Sequence, residues 1–281
     1  MTTNRLRIGV VATGSCVDQT IAERVLSLAA ALYPERTPHI EFHPNCFAIS
    51  GHFAGDDASR ADAFVQVAND ARYDALWFAR GGYGSCRIVE TVLPRLTDAA
   101  RKKMYLGYSD VGTLLSTLYR AGFPHVVHGP MPADIKREGG QEAVARALAF
   151  LVDGDPASIE PSVVSDPVVA FNITILAHLV GTPWLPDLTG HIILLEEVSE
   201  PLYRIDRALC QIASDPGFRR AAGVRLGRCA PIIPNEPDFG QTEEEIARHW
   251  CKAAGIAYLG RADIGHDVAN KVVPFGRART S

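Results

Sequence analysis

The 281-residue chain lacks any apolar run that reaches the ~18 residues a membrane span requires, so a transmembrane helix is excluded from the reading. Its start lacks a charged n-region, a long apolar h-region and a small-residue cleavage site, and a cytoplasmic location is therefore expected. It also lacks a basic footprint. Lys and Arg total 28 against 32 Asp and Glu, the formal net charge is −4, and the cations are scattered, so nucleic acid is not an expected partner. The six cysteines, Cys16, Cys46, Cys86, Cys210, Cys229 and Cys251, are widely spaced and form no C-x-x-C pair. That pattern argues against a zinc site or a disulfide framework and for reduced thiols, with Cys86 read as a small buried hydrophobe. Internal repeats and low-complexity tracts are absent too.

What remains is an ordinary globular composition, 47% hydrophobic and 21% charged, at a length that allows about two domains. Short apolar runs at 6–12, 75–79, 104–108 and 125–128 each end in glycine- or serine-bearing turns. Between them lie helix-like stretches, the first with Ile21, Val25, Leu28, Ala29 and Leu32 on one face. Alternation of this kind predicts an α/β fold with a mostly parallel sheet, whose ligand crevice lies at the carboxyl ends of the strands. A helix over 142–151 closes a first domain, residues 1–152; a proline-bearing segment, 153–167, reads as a linker; residues 168–281 form a second domain. That second part offers helices at 174–179, 202–213 and 243–254, a buried strand at 192–195, a polar loop at 235–241 and short strands flanking Gly265-His266.

Gly107-Tyr108-Ser109-Asp110 stands between an apolar run and a helix-like stretch, which places Ser109 at the apex of a strand-to-helix turn. A serine there projects clear of the sheet, and the following backbone N–H, that of Asp110, points into the same space at a helix N-terminus. Ser and Asp are equally ordinary helix caps, and the G-x-S-x-G elbow of α/β-hydrolases is not met, because Val111 precedes Gly112. Arg80-Gly81-Gly82-Tyr83-Gly84 follows another run. It could cradle a phosphate or bring backbone N–H groups close to a substrate oxygen, and as a plain tight turn it would do neither. Among nine histidines, His266 stands on a late polar loop and is the best candidate for a general base. His128 and His178 sit in apolar contexts that suit packed imidazoles, and His39, His43 and His52 lie in a polar surface region. Glu196 emerges at the tip of an apolar run and needs a partner, a histidine N–H or Arg204 or Arg207, while Glu197 and Glu200 compete for the same role. Ser109, Glu196 and His266 together fill the roles of nucleophile, orienter and base.

These stretches, with His128-Gly129-Pro130-Met131, Leu195-Glu196-Glu197-Val198 running on to Tyr203 and Asp206-Arg207, and Gly265-His266 with Asn270 and Pro274, resemble in order the signatures of the LD-carboxypeptidases. The resemblance covers nearly the whole chain. It implies a metal-free, cofactor-free serine peptidase in which an amidotransferase-like α/β domain meets a smaller swivelling β-rich domain. By motif it makes Ser109 the nucleophile, Glu196 the orienting carboxylate and His266 the base, with Gly82 and Asp110 supplying the oxyanion-hole N–H groups. It further implies removal of a terminal D-alanine from cytoplasmic murein tetrapeptides during peptidoglycan recycling, and a homodimer. Arg80 or Arg87, beside Tyr83, could hold the substrate's free carboxylate. Microcin C immunity peptidases, which cleave a peptidyl-nucleotide, belong to the same family and offer an alternative substrate. A non-catalytic α/β anion-binding module, with Ser109 as a mere cap, is the alternative of another class. The chain departs from the family at Ala12-Thr13-Gly14-Ser15, where a proline-serine pair is common, and at Ala170-Phe171-Asn172, which replaces Gly-Gly-Asn.

Overall fold

Short strands buried on both faces need helices on both sides, and the first half of the chain supplies them. In order it forms β1 (Arg7–Val11), α1 (Gln19–Leu32), β2 (His39–Phe42), α2 (Asp57–Asn69), β3 (Ala75–Phe78), the single turns α3 (Val89–Val92) and α4 (Asp98–Arg101), β4 (Met104–Gly107), α5 (Gly112–Arg120), β5 (Val126–His128) and α6 (Gly140–Asp153). The second half adds β6 (Val168–Asn172), α7 (Ile173–Leu179), β7 (Ile192–Glu197), β8 (Glu200–Pro201), α8 (Leu202–Ser214), β9 (Gly223–Cys229), β10 (Ile232–Ile233), α9 (Glu243–Ala254), β11 (Ala257–Arg261) and β12 (Val273–Pro274). This is a computed structural model, and it describes residues 5–164 and 166–276. The expected domain and linker bounds also take in residues 1–4, 165 and 277–281, which lie outside the described residues.

Local chemistry sets the ends of these elements. The Asp18 carboxylate caps α1 by accepting the Ile21 N–H at 3.1 Å. Its buried stripe is Ile21, Val25 and Ala29, while Leu32 is exposed, so the apolar face stops a turn earlier than the spacing implied. A Thr242–Glu245 capping box starts α9, and Gly255, left-handed at φ 73°, ends it.

The first sheet has the order β12-β5-β4-β3-β1-β2, parallel except for β12, which runs antiparallel to β5. The loops after β1, β3 and β4 therefore lie side by side at one edge of the sheet. A second sheet, β11-β9-β7-β6, is parallel throughout. The expected α/β architecture is what forms. β2, an edge strand within the polar stretch that carries His39 and His43, was not legible from periodicity.

The connection between β11 and β12 decides what meets what. β11 ends in the second sheet, β12 begins in the first, and the loop carrying Gly265 and His266 spans the two. The core is continuous across the same junction. Phe275 lies edge-on to both Tyr119 and Phe171, with centroids at 5.6 and 5.5 Å, and the Ser116 hydroxyl donates to the Trp184 carbonyl at 2.8 Å. Phe171, in the stretch that departs from the family pattern, belongs to this core and is almost wholly buried. Two expectations are corrected. His178 is an exposed residue of α7, turned outward between the buried Ala177 and Leu179, and Cys86 is only half-buried.

Candidate active site

Ser109 follows β4 directly, and the chain turns there into the short helical turn Ser109–Val111 that leads into α5. Its φ is +65°, one of two positive values among non-glycine described residues. An L-residue in that region carries a cost of roughly 1–2 kcal/mol, so the surrounding packing must hold the turn. Gly81 is part of that packing: a Cβ there would lie 2.8 Å from both Cβ and Oγ of Ser109. Gly112 eases a close approach one turn later, where a Cβ would lie 3.3 Å from the Ile175 side chain of α7. The glycine after Val111 thus seats the helix against the second half of the chain.

The Gly81-Gly82 turn after β3 lies against the β1 loop. A Cβ on Gly14 would sit 2.0 Å from the Gly82 carbonyl oxygen, and Gly82 itself has φ +90°. Arg60 of α2 binds the two loops together from beneath. Fully buried, it donates to the carbonyls of Thr13 and Gly84, pairs with Asp57, and stacks on Phe53. Asp110, also buried, accepts the Ser85 N–H at 2.8 Å, and burial raises its pKa. Gly82 and Asp110 flank Ser109 on neighbouring loops. Asp110 is the second residue of its helical turn, where backbone N–H groups have no acceptor within the helix.

Glu196 is the penultimate residue of β7, in register with Asn172 of β6, and its side chain is fully buried. Its Oε2 stands 2.5 Å from Nδ1 of His266, whose side chain is 7% exposed. Burial alone would depress the His266 pKa, but the Glu196 charge and hydrogen bond outweigh it, and the pKa is raised. The geometry separates the three carboxylates that residue chemistry alone left open, and Glu196, the one given by the family motif, is the one that meets His266. Glu197 is spent on Asn172, Thr174 and the Val198 N–H, and Glu200 pairs with Arg204 at 3.3 Å. Nε2 of His266 is buried and has no hydrogen-bond partner among the described residues. Ser109 and His266 line the same cavity, of about 800 Å³, without a hydrogen bond between them. Catalytic contacts are often long before a substrate is bound.

The loop bearing His266 is pinned from both halves of the chain. Arg137 donates to the His266 carbonyl and Arg146 to those of Val268 and Asn270, while Arg228 pairs with Asp263 and Asp267. Asn270 accepts the Gly265 N–H at 3.2 Å and lies 3.2 Å from Nε2 of His128, an imidazole that burial holds down to about 4. Beneath the His266 ring lies Tyr108, centroids 4.8 Å apart, its hydroxyl donating to Asp134 at 2.7 Å. Asp134, Arg137, Arg146 and Arg228 carried no motif, and only the packing of distant segments reveals what they hold.

Of the residues expected to touch substrate, Arg80 lines the large cavity and donates to the Cys16 carbonyl at 3.2 Å. Tyr83, 54% exposed, lines a second cavity of about 290 Å³ whose wall also includes Ser109. Arg87 is not brought to either cavity: Asp57 holds it, Nη2 to Oδ2 at 2.7 Å. Among the described residues no group of three or more His, Cys, Asp or Glu could hold a metal ion, all six cysteines are free, and no helix is long and apolar enough to cross a membrane.

Residues 8–129 match the model of the LD-carboxypeptidase N-terminal domain, and residues 167–280 that of the LD-carboxypeptidase C-terminal domain. A murein tetrapeptide carboxypeptidase of Pseudomonas aeruginosa is 28% identical over 219 residues, covering 72% of this chain and 70% of its own. Among solved structures, the muramoyltetrapeptide carboxypeptidase of Oxalobacter formigenes superposes with a TM-score of 0.78 at 22% identity, over 97% of this chain and 96% of its own. The microcin C7 self-immunity protein, solved in complex with aspartyl sulfamoyl adenosine, has the same fold at 15% identity, with a TM-score of 0.77 over 96% of this chain and 91% of its own.

Proposed function

The chain belongs to the LD-carboxypeptidase family, and on that premise we propose that it is a serine L,D-carboxypeptidase removing the terminal D-alanine of murein tetrapeptides. Ser109 is the nucleophile, His266 the base and Glu196 its orienter. One observation carries this reading: Glu196 holds Nδ1 of His266, whose buried Nε2 is left unpartnered, and His266 shares a cavity wall with a serine in left-handed geometry.

Serine oxygen attacks poorly unless a base takes its proton. In this reading Nε2 accepts the Ser109 proton as Oγ bonds to the carbonyl carbon, and the Glu196 carboxylate stabilises the imidazolium. The oxyanion is received by the N–H groups of Gly82 and Asp110. The imidazolium returns its proton to the amide nitrogen, the C–N bond breaks and D-alanine leaves. Water, deprotonated by the same imidazole, then cleaves the ester and restores the Ser109 hydroxyl. Every step uses groups of the chain itself and needs neither metal nor cofactor.

The two-domain division at residues 1–152 and 168–281, a cytoplasmic role in peptidoglycan recycling and a homodimer belong to the same proposal. The decisive experiment incubates the purified protein with peptides ending in D-alanine, L-alanine or D-alaninamide. Release of D-alanine from the first alone supports the reading, and no hydrolysis of it by a folded protein removes the reading. A second substrate is favoured by the size of the large cavity, which exceeds what a terminal alanine needs. A peptidyl-nucleotide in the same assay tests it, since preferential cleavage of that conjugate would make the chain an immunity-type peptidase.

A further inference from the structure

A second buried carboxylate, Asp134, shares the wall of the large cavity with His266. It lies in the short helical turn Pro132–Lys136 that follows β5. It accepts three donors: the Met131 N–H at 2.8 Å, the Tyr108 hydroxyl at 2.7 Å and Nε of Arg137 at 3.1 Å. The first of these closes its own turn. The other two lead to the base, because the Tyr108 ring lies against the imidazole, centroids 4.8 Å apart, and Nη1 of Arg137 donates to the His266 carbonyl. One carboxylate therefore fixes both what touches the ring of His266 and what holds its backbone.

The charges around the imidazole do not cancel. Glu196 faces Nδ1 from β7. Tyr108 presents a neutral hydroxyl, since burial pushes its pKa well up, and His128, its ring 5.5 Å from that of Tyr108, is uncharged near neutral pH. Asp267, next along the loop, is paired with Arg228. That leaves Asp134 and Arg137, whose opposite charges act with unequal strength. The Asp134 side chain is 7% exposed and that of Arg137 40%, so water screens the cation far more than the carboxylate. We propose that Asp134 is a positioning residue for the base: through Tyr108 and Arg137 it fixes the ring and backbone of His266, and as a second counter-charge it joins Glu196 in stabilising the imidazolium. The balance at His266 agrees. Burial lowers its pKa, the Glu196 charge and hydrogen bond raise it, Asp134 adds to the rise, and Arg137 opposes more weakly.

This inference rests on His266 being the base, and a readout that needs no turnover keeps the two apart. The His266 imidazole is titrated by NMR in the wild type, D134N and R137M, and kcat/KM for a D-alanine-terminated peptide is followed against pH in the same proteins. D134N keeps the shape and removes the negative charge, so the imidazolium is less stable and the midpoint is expected to fall by about half a pH unit or more. R137M removes the opposing cation, and its midpoint rises. The acid limb of kcat/KM follows each shift, whereas a merely structural role would lower the plateau and leave the limb in place. A D134N midpoint within about 0.2 of the wild type, or a fall in R137M, overturns the proposal. If D134N does not fold, R137M, altered at a 40% exposed side chain, carries the test by itself. Midpoints that move as expected in a folded protein that cleaves no such peptide would keep the second counter-charge and remove the peptidase reading.

Discussion

Nδ1 of His266 and Oε2 of Glu196 stand 2.5 Å apart although 70 residues separate them, one on a loop that spans two sheets and the other at the tip of a buried strand. The carboxylate fixes which imidazole nitrogen carries the proton and so which one is free to act as a base.

Replacing Glu196 by glutamine keeps the shape but removes the charge. In the proposed mechanism kcat falls by about 10²–10⁴-fold, because the imidazole is no longer held in the right tautomer and the imidazolium loses its counter-charge. Steady-state hydrolysis of a D-alanine-terminated peptide measures it, with circular dichroism to confirm the fold. Activity within a few-fold of wild type would exclude Glu196 as the orienter.

The raised pKa of His266 sets a pH dependence. A base must be neutral to accept a proton, so kcat/KM rises with pH through an apparent pKa above the ordinary imidazole value of ~6.5. In E196Q the largest opposition to burial is gone and the limb shifts to lower pH. The stability linkage has the opposite slope. A group whose pKa is higher folded than unfolded contributes stability below its unfolded pKa and loses that contribution as pH rises through the folded value. The stability gap between wild type and E196Q therefore narrows as pH rises from below the ordinary imidazole value of ~6.5 through the raised folded value, a trend that urea melts at several pH values would detect. His128, held near 4 by burial, stays neutral over that range and does not obscure it.

Two substitutions at Ser109 separate chemistry from strain. S109A and S109G both lose roughly 10³-fold or more in turnover, because neither has a nucleophile. They differ in stability. Alanine retains the unfavourable φ of +65°. Glycine adopts it freely, and S109G is expected to be more stable than S109A by about 1 kcal/mol in chemical denaturation, less what glycine gives up in unfolded-state entropy. Equal stabilities would mean that the turn stores no such strain.

Arg60 holds loops rather than substrate. R60M leaves the Thr13 and Gly84 carbonyls without their buried donor and is expected to cost about 2–4 kcal/mol of stability, read as a lower urea midpoint. Because those loops carry Gly14 and Gly82, turnover should fall further than the unfolded fraction accounts for. A variant as stable as wild type would show that the loops keep their shape without the guanidinium.

Much of this was legible along the chain. Apolar runs of four or five residues with glycine-rich ends specify buried parallel strands and their turns, because burial on both faces admits little else. Ser109 was legible for the same reason, since a serine between such a run and a helix stands at the strand tip. The polar stretch that carries β2 was not, because an edge strand needs little hydrophobic patterning. Nor was the outward turn of His178, which depends on which face of a short helix meets the core.

Sequence by itself determined the alternation of strands and helices, the turn bearing Ser109, the glycine turn beside it, and the residue types able to move a proton. Residue chemistry alone left Glu196, Glu197 and Glu200 open and the family motif chose Glu196; tertiary structure puts Glu196 against His266, and alone decided that Arg87 is spent on Asp57 and that Arg137 and Arg60 brace the loops. The physical reason is that these choices depend on which charged groups are brought within hydrogen-bonding reach once distant segments pack, and the connection from β11 to β12, by crossing from one sheet to the other, is what carries His266 to its partner.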